Sequence, residues 1–446
     1  MPQNRFNPYL LSSLARAFLN AEPDADDIVA QAGEMLGKRW RWIRPVAWRF
    51  LERFGNRTRP RQREVERFLL SDPSFQRAIK KHGAALQIAA WVSAEPRMRP
   101  VAAAKDWKIP AILTESDLAA WLRVRENELE WFANLRTAGA RRAETRLQHY
   151  HYRVISKASG NLRLIEAPKQ RLKTMQQKIL ADILTEIPAH PEVHGFVKGR
   201  SIKTFAAPHA GKRVVLRMDL KDFFPTLGRA KIQTFFRTAG YPERVADLLG
   251  GLSANSVPPS VWREVDAKGQ QFAVFEARQL YGRPHLPQGA PTSPAIANLC
   301  MYRADCRLSG LVRAAGATYT RYADDLAFSG DEPFERSVER FATHVAAILR
   351  EEGFAVNHRK TRVMRRGVRQ HLAGLVTNEH VNVPRADFDR LKATLTNCAR
   401  FGPESQNREG LPNFRAHLEG RVAFVEMVNA QKAARLRGIL ERIRWE

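Results

Sequence analysis

The hydrophobic residues of the chain follow helical spacing at both ends and a mixture of helical and alternating patterns in the middle. Over residues 1 to about 140, short amphipathic stretches alternate with proline-containing breaks such as Ala94-Glu95-Pro96, which predicts an all-helical region. Thr114 is a suitable N-cap for one of these helices, which we expect to continue through Leu129 and Phe132. The C-terminal end returns to helix. Its expected inward stripe consists of Leu418, Val422, Val425 and Leu436.

The middle of the chain alternates strand-like and helical patterns. The segments YHYRVIS and LRLIEAP flank a turn at Ser159-Gly160-Asn161, which predicts a β-hairpin that begins at about residue 150. Further strands are predicted over 214–220 and 316–330, and helices over 171–186 and 333–352. We expect this mixed region to extend to about residue 385.

The chain is strongly basic, with 73 Lys and Arg against 46 Asp and Glu, a net charge of +27 and an isoelectric point of about 10.6. Such an excess favours a polyanionic partner, because cations placed on phosphates release condensed counterions. A basic surface kept only for solubility is a weaker interpretation, since self-repulsion destabilises the compact state. A membrane surface is weaker still, because the basic residues do not lie opposite one long apolar face. Nucleic acid is the expected partner.

The densest basic stretch is 36–67, which carries eleven basic and three acidic residues with three tryptophans interleaved. One interpretation is an RNA-binding helix pair, with arginines on phosphates and rings available for stacking. The other is an amphipathic helix whose Trp42, Val46, Phe50 and Phe54 pack inward while the arginines face water. We expect a mixture of the two. The candidate RNA contacts are Arg39, Arg41, Arg44 and Arg49.

Cysteine usage and the absence of long apolar runs indicate the compartment. Cys300, Cys306 and Cys398 are too few and too irregularly spaced for a disulfide framework or a zinc site, so they are expected in the core of a protein from a reducing compartment. The N-terminus lacks the pattern of a signal peptide, and no apolar run is long enough for a transmembrane helix. We expect a cytoplasmic protein without membrane contact.

Two acidic motifs stand at the ends of predicted strands. Asp219 follows the apolar run Val214-Val215-Leu216, whereas Asp324 and Asp325 lie between apolar strand segments, as expected for a hairpin tip. Adjacent carboxylates repel each other, and divalent cations relieve that repulsion. Two Mg²⁺ ions about 4 Å apart would assist a 3′-hydroxyl attack and a leaving pyrophosphate. A solvated turn remains the alternative for a lone Asp-Asp pair.

Further motifs favour the catalytic interpretation. The YADD sequence at 322–325 is preceded by DLKDFF at 219–224, by LPQGAPTSP at 286–294 and by HGFVKGRSI at 194–202. In this order the motifs resemble the palm of a reverse transcriptase over about 150–385. The resemblance implies an α+β fold of the right-hand polymerase type: a helical basic extension over 1–140, interleaved fingers and palm over 141–385, and a helical thumb over 386–446.

The resemblance also implies roles for individual residues. Asp219, Asp324 and Asp325 would be the catalytic acids and, with the backbone carbonyl of Leu220, the ligands of two Mg²⁺ ions. Phe224 lies where the family has the aromatic gate that excludes a ribose 2′-hydroxyl, although Phe223 competes for that position. DNA is therefore the expected product.

Contacts to the incoming dNTP are implied at five further positions. Gln288 would pack against the nucleotide, and Gly289 would allow close backbone approach. Lys157 and Arg163 resemble fingers residues that grip the triphosphate, with solvated charges as the alternative. Lys360 resembles the residue that protonates or neutralises pyrophosphate, and a template-phosphate contact explains it equally well. The basic run 359–369 supplies further candidate RNA contacts at Arg362, Arg365 and Arg366.

Among reverse transcriptases the motifs most resemble those of bacterial retrons, through YTRYADDLAFS and a thumb-like C-terminus. That resemblance implies a structured noncoding RNA that serves as template and primer from an internal guanosine 2′-hydroxyl. The implied product is a branched RNA–DNA hybrid used in anti-phage defence, and an effector protein is a further candidate partner. Two positions depart from retron signatures associated with RNA recognition: Phe205 replaces an Asn, and Leu372-Ala373-Gly374 replaces Val-Thr-Gly.

Two alternatives stay open from the sequence. One is a defence-associated reverse transcriptase without a retron RNA, since the helical extension of about 140 residues is long. The other is a non-catalytic RNA-binding scaffold, which the complete set of acids argues against.

Overall fold

The computed structural model describes residues 8–55, 59–91, 96–135, 147–156, 160, 162–263 and 271–445. The chain divides into two compact units. The first combines Met1–Ile187 with Gly228–Pro291, and the second combines Pro188–Leu227 with Thr292–Glu446. The sequence boundaries at 140/141 and 385/386 fall inside these units, so the division into extension, fingers and palm, and thumb stays a prediction.

The regular elements are numbered in chain order. The helices are α1 (Pro8–Asn20), α2 (Ala25–Met35), α3 (Ile43–Phe54), α4 (Gln62–Ser71), α5 (Pro73–His82), α6 (Glu115–Leu122), α7 (Glu126–Ala133), α8 (Gln170–Asp182), α9 (Ile202–Ala206), α10 (Phe223–Thr226), α11 (Arg229–Thr238), α12 (Glu243–Leu252), α13 (Gln271–Tyr281), α14 (Ser293–Ala314), α15 (Glu332–Glu351), α16 (Arg385–Phe401), α17 (Phe414–Val428) and α18 (Ala430–Leu440). The strands are β1 (Tyr150–Ser156), β2 (Leu162–Pro168), β3 (Val214–Asp219), β4 (Thr318–Tyr322), β5 (Asp325–Gly330), β6 (Arg362–Arg365), β7 (His371–Leu372) and β8 (Leu375–Val376).

The first unit begins with α1–α7, and every regular element described between residues 8 and 135 is helical. Helices α1–α5 enclose their own apolar core, in which Val46 and Phe50 are buried and Trp42 and Phe54 partly buried. The inward-packing part of the expected mixture in 36–67 is thereby confirmed. Trp48 does not share this inward packing, because it is 61% exposed.

The helix predicted to start after Thr114 is in fact two helices. Thr114 does cap α6, accepting from the backbone N–H of Asp117 in a capping box. The helix ends at Leu122, however, because Arg123 adopts a left-handed conformation with φ 58°. A second helix, α7, then starts at Glu126. The prediction of one continuous helix to Phe132 was wrong, since helical spacing alone does not reveal a local left-handed residue.

The remainder of the first unit is mixed. Strands β1 and β2 form the predicted antiparallel hairpin, with Tyr150 opposite Pro168 and Ser156 opposite Leu162. Most of the predicted turn at 159–161 lies outside the described residues. Leu162 and Leu164 of β2 pack with Trp262 and with Tyr281 of α13 in a second apolar cluster.

The second unit is built on a four-stranded antiparallel sheet with strand order β4-β5-β3-β6. Strand β3 is nearly all buried because it lies between β5 and β6, and α15 packs against β3 and β5. Helices α16–α18 share an apolar core with this sheet. The predicted inward stripe is confirmed, since all four of its members are buried: Leu418, Val422, Val425 and Leu436.

The cysteine prediction holds only in part. Cys398 is buried, Cys300 is half-buried and Cys306 is exposed, so the expectation of three core cysteines was wrong for Cys306. In the described ranges we find no helix that is both long and apolar enough to cross a membrane.

Candidate active site

The three predicted acids meet at the ends of two neighbouring strands. Asp219 is the last residue of β3 and lies directly opposite Asp325, the first residue of β5. Tyr322 pairs with Asp325, which leaves Ala323 and Asp324 as the two-residue turn between β4 and β5. The N–H of Leu220 donates to the Asp324 carbonyl at 2.9 Å. The expected strand end and hairpin tip are thereby confirmed.

Asp219 is held from the side by the segment that follows α15. Its buried carboxylate accepts from Asn357 Nδ2 at 3.1 Å and from Lys360 Nζ at 3.0 Å, and its carbonyl accepts from the Asn357 N–H at 2.7 Å. Leu220 forms an isolated antiparallel β-bridge with Val356. The backbone hydrogen bonds across this bridge do not involve the Leu220 carbonyl. Asn357 thus orients Asp219 through both backbone and side chain. The sequence analysis gave Asn357 no role, although it lies three residues before the candidate Lys360.

Asp325 is paired with an arginine from the neighbouring strand. Arg217 donates from Nε and Nη2 to Asp325 Oδ1 at 2.9 and 2.6 Å. Side chains two residues apart on a strand share a face, so Arg217 lies on the same face of β3 as Asp219. Sequence reasoning missed Arg217; the available signal was a single charged residue inside the otherwise apolar run VVLRM.

The surroundings of Asp324 disfavour its negative charge. Burial, together with the neighbouring Asp219 and Asp325 carboxylates, raises the pKa of Asp324 above its usual range. Carboxylate oxygens are the ligands that Mg²⁺ prefers, and a divalent cation relieves such like-charge repulsion. The donor chemistry therefore fits a divalent metal.

The side chains of the three acids do not form a metal-binding cluster in this structure. Considering the described residues alone, no three His, Cys, Asp or Glu side chains are arranged so that they hold a metal ion. Two of the acids are instead paired with cations, Asp219 with Lys360 and Asp325 with Arg217. Metal binding by Asp219, Leu220, Asp324 and Asp325 stays a prediction.

A buried polar network supports the turn from its other side. Arg321 of β4 donates from Nε and Nη2 to the two carboxylate oxygens of Asp305 at 2.8 and 2.7 Å, and both side chains are fully buried. Arg321 Nη1 also donates to the Ala323 carbonyl at 3.1 Å and to Asn298 Oδ1 at 3.0 Å. The guanidinium therefore fixes the carbonyl of the residue that has φ 55° in the turn.

The HGF segment passes directly beneath the same turn. The N–H of Arg321 donates to the Glu192 carbonyl at 2.8 Å, and the N–H of His194 donates to the Arg321 carbonyl at 2.7 Å. A Cβ added at Gly195 would lie 2.5 Å from the Ala323 nitrogen. Only glycine allows the two backbones to approach this closely.

A comparable arrangement holds the LPQG segment in the first unit. The N–H of Glu166 on β2 donates to the Gln288 carbonyl at 2.8 Å, and a Cβ at Gly289 would lie 2.8 Å from the Glu166 carbonyl oxygen. The buried Glu166 carboxylate accepts from Asn255 Nδ2 at 2.8 Å and lies 2.9 Å from His285 Nε2. Burial alone would lower the pKa of His285, but Glu166 raises it above its usual value.

Known proteins with similar sequences identify the family. The family model described as reverse transcriptase (RNA-dependent DNA polymerase) matches residues 155–385. The chain is 42% identical to the retron Mx65 reverse transcriptase of Myxococcus xanthus over 74% of this chain and 71% of that protein. The chain belongs to the retron-type reverse transcriptases. It is also 36% identical to the retron Mx162 enzyme of the same organism, over 72% of this chain and 66% of that protein, and 29% identical to the retron Ec86 enzyme of Escherichia coli, over 62% and 74%.

Family membership fixes the type of reaction. This retron-type reverse transcriptase is an RNA-directed DNA polymerase, and its domain implies dependence on a divalent metal cation, typically Mg²⁺. The turn of Ala323 and Asp324 is thus the YADD turn of a polymerase, and the segments that brace it are parts of the same matched region.

The two neighbouring phenylalanines of the retron-type reverse transcriptase differ in burial. Phe223 is 3% exposed and packs on Phe354 with ring centroids 5.9 Å apart, whereas Phe224 is half-buried. Phe223 is therefore a core residue, which leaves Phe224 as the candidate for the aromatic gate. That role stays a prediction.

The remaining candidates for dNTP binding belong to the first unit. Arg163 is exposed on β2 opposite Ile155, Gln288 is half-buried and Gly289 is exposed. Lys157 lies outside the described residues. The close approach allowed by Gly289 is to β2, and contact with a nucleotide stays a prediction.

The candidate RNA contacts fall into two groups. Exposed arginines are Arg39, Arg41, Arg44, Arg362, Arg365 and Arg366. Arg44 among them is paired with Asp26. Arg49 has a structural role, because it donates from Nε and Nη2 to Asp72 at 2.7 and 2.9 Å and also to Ser74. Contact with RNA stays a prediction for all of them.

The two departures from retron signatures lie at structural positions. Phe205 is fully buried in α9 and packs on Tyr322 of the YADD motif with ring centroids 5.8 Å apart. His209 lies 2.6 Å from Ser329 Oγ and 2.7 Å from Thr320 Oγ1, and burial lowers its pKa to about 3. Ala373 and Gly374, both at positive φ, form the two-residue loop between β7 and β8.

Proposed function

We propose that this retron-type reverse transcriptase extends a primer on a structured noncoding RNA, using dNTPs and two Mg²⁺ ions. The product would be a branched RNA–DNA hybrid that acts in anti-phage defence. The observation that carries the chemistry is the meeting of Asp219, Asp324 and Asp325 at adjacent strand ends, with the pKa of Asp324 raised by burial and by the other two acids. The retron type of the relatives supports the RNA partner.

The residues around the acids are suited to phosphoryl transfer. Two Mg²⁺ ions bound by Asp219, Asp324, Asp325 and the Leu220 carbonyl would favour attack by the primer hydroxyl and stabilise the leaving pyrophosphate. Asn357 keeps the Asp219 carboxylate in place through its 3.1 Å bond to Oδ1. Lys360 contacts the other oxygen of Asp219 from a position where its side chain is 58% exposed, so its ammonium group is accessible to a leaving pyrophosphate.

Selection of the nucleotide would fall to Phe224 of the second unit and to four residues of the first unit. The half-buried Phe224 would exclude a ribose 2′-hydroxyl, which makes DNA the product. Gln288 and Gly289, tied to β2 through Glu166, would contact the incoming nucleotide. Lys157 and Arg163 would grip its triphosphate. The exposed arginines of 36–67 and 359–369 would contact RNA phosphates, which predicts binding that weakens with salt.

Template-primed dNTP incorporation tests the proposal. The double variant Asp324→Asn, Asp325→Asn should lose at least about 1000-fold of the activity, a loss on the scale of removing a key electrostatic group. A matched control, Asp106→Asn with Asp389→Asn, removes two exposed carboxylates and should retain it. Equal incorporation by wild type and the Asp324, Asp325 double variant would refute the proposal.

Sequencing the nucleic acid that copurifies with the protein tests the retron RNA itself. A DNA strand joined to a guanosine 2′-hydroxyl of one structured RNA is the expected result. An active enzyme that carries only unbranched, heterogeneous nucleic acid would instead identify a reverse transcriptase without a retron RNA.

A further inference from the structure

The first unit contains an arginine-rich cavity of about 220 Å³. It lies where the C-terminal half of α1, the segments around 59–62 and 96–99, and the junction between α11 and α12 come together. One glutamate, Glu243, lines it together with five arginines. These are Arg16, Arg59, Arg97, Arg99 and Arg237. Four of the five arginines precede the region that matches the reverse transcriptase family.

Three of these arginines already have structural partners. Arg99 donates from Nη1 to the carbonyls of Leu19 and Ala21 at 3.1 and 2.8 Å, and so caps the C-terminal end of α1. Arg97 pairs with Glu22 at 2.5 Å. Arg16 donates to a glutamine side chain at 3.4 Å. Their presence around the cavity is explained by the fold.

The remaining two are not explained in this way. Arg237 donates from Nη2 to Thr234 Oγ1 at 2.8 Å, but its Nε and Nη1 atoms are buried and have no hydrogen-bond partner among the described residues. Burial, with the neighbouring Arg99 and Arg97, lowers the pKa of Arg59 to about 10. Burial and Arg61 lower the pKa of Arg237 as well. Both guanidinium groups therefore lie in surroundings that disfavour their charge.

Buried donors without acceptors and partly buried like charges both destabilise a fold. Acidic neighbours offset only part of this, because the pKa of Arg59 stays lowered despite Glu22 and Glu243, and that of Arg237 stays lowered despite Asp247, Glu243 and Glu64. An anion in the cavity would compensate the positive charges that Arg59 and Arg237 bring to its lining. Arginine presents its donors in a planar fork that matches phosphate geometry.

We propose that this cavity binds a phosphoryl group held by Arg59 and Arg237. The size of the cavity selects the ligand, since its 220 Å³ is below the roughly 300–1,000 Å³ of pockets that enclose whole small molecules. A phosphate or pyrophosphate group enters, and an attached nucleoside stays outside. The phosphoryl group comes either from a free polyphosphate or from the backbone of an RNA chain.

Thermal unfolding with pyrophosphate tests the cavity, with divalent metal chelated so that the catalytic acids do not contribute. The double variant Arg59→Gln, Arg237→Gln removes the two proposed contacts. Arg63→Gln with Lys80→Gln is the charge-matched control, because both side chains are exposed on α4 and α5. A ligand that binds only the folded state raises the unfolding midpoint. The midpoint should rise with pyrophosphate in wild type and control and stay constant in the Arg59, Arg237 variant.

The same samples report whether the variant folds. Without the anion, the Arg59, Arg237 variant should unfold at or above the wild-type temperature, because it no longer buries two poorly compensated charges. An equal response to pyrophosphate in this variant and in the control overturns the proposal.

Binding of a short single-stranded RNA distinguishes the two sources of the phosphoryl group. If the cavity takes backbone phosphates, RNA affinity should fall roughly tenfold or more in the Arg59, Arg237 variant relative to the control, and pyrophosphate should compete with RNA. If it takes a free polyphosphate, RNA affinity should be equal in both variants while the pyrophosphate response is lost. A wild type that does not respond to pyrophosphate, together with equal RNA affinities, also overturns the proposal.

Discussion

The two sides of the YADD turn carry ion pairs of opposite character. On the inner side, Arg321 and Asp305 are both fully buried, and the guanidinium is engaged at Nε, Nη1 and Nη2. On the outer side, Lys360 is 58% exposed where it contacts Asp219, and the pair of Arg217 and Asp325 is partly exposed. The inner pair has no access to water or ligand, whereas we expect the outer pairs to exchange partners more readily, because their cations are partly exposed. The inner side is therefore a scaffold, and on the outer side we expect the carboxylates to exchange their present partners for a metal cation.

The largest effect is expected from breaking the inner pair. Arg321→Met leaves the Asp305 carboxylate buried without its partner, which costs about 3–5 kcal/mol in free energy of unfolding. Urea unfolding measures this loss. Adding Asp305→Leu to Arg321→Met should recover part of it, because the uncompensated charge is then removed. A single variant as stable as wild type would contradict the scaffold role.

The backbone contact beneath the turn should have the next largest effect. Gly195→Ala places a Cβ 2.5 Å from the Ala323 nitrogen and should destabilise the protein by roughly 1–3 kcal/mol, the scale of overpacking. Polymerase activity should fall with it, since the turn carries Asp324. The control is Gly310→Ala on α14, where a Cβ has no neighbour within 4 Å and helix propensity favours alanine. Equal effects of the two substitutions would refute this explanation of Gly195.

A smaller effect is expected when the outer side loses a positioning contact. Asn357→Ala removes the bond to Asp219 Oδ1 and should lower kcat about tenfold with a higher requirement for Mg²⁺, because Asp219 is less well oriented. KM for dNTP should change little. The control is Asn397→Ala, which affects only a 3.5 Å contact to Gln406 in the described chain. If Asn357→Ala lowered stability without changing the Mg²⁺ dependence, Asn357 would be structural only.

The same chemical change should have opposite signs on the two sides. Asp305→Asn weakens a satisfied buried pair and should lower the free energy of unfolding. Asp324→Asn removes a charge whose pKa is raised by burial, Asp219 and Asp325, and should increase that free energy by something on the order of 1 kcal/mol at pH 7.

The pH dependence sharpens this contrast. Because the folded-state pKa of Asp324 is raised, its favourable contribution is fully present below the unfolded-state pKa and is lost as pH rises through the folded-state pKa. The stability gained by Asp324→Asn should therefore shrink on acidification to below the unfolded-state pKa. Unfolding curves at several pH values measure this, and a gain that does not depend on pH would contradict the like-charge explanation.

The sequence predicted the outer acids better than their partners. Apolar segments located β3 and the hairpin, and hence placed Asp219, Asp324 and Asp325 at strand ends. The roles of Arg217 and Asn357 were not predicted, because these residues lie 108 and 138 positions along the chain from Asp325 and Asp219, the acids they bind. Spacing along the chain carries no information about such contacts. The end of the helix at Arg123 was not predicted for a different reason, since a single left-handed residue leaves the helical spacing of apolar residues intact.

The same limit explains the inner pair. Arg321 directly precedes the YADD motif, and its sequence context suggests only a charged residue on a strand. It is nevertheless fully buried, because Asp305 on α14 faces it. Only the packing of α14 against β4 reveals this role.

Mg²⁺-dependent unfolding of nuclease-treated, dNTP-free protein tests most directly whether the outer carboxylates hold the metal. A cation that binds only the folded state stabilises it more and more as the cation concentration rises above its dissociation constant. The unfolding midpoint of wild type should rise with Mg²⁺ concentration, and that of Asp324→Asn should rise much less. A wild-type midpoint that does not respond to Mg²⁺, or an equal rise in Asp324→Asn, would contradict the assignment of Asp219, Asp324 and Asp325 as the metal-binding centre.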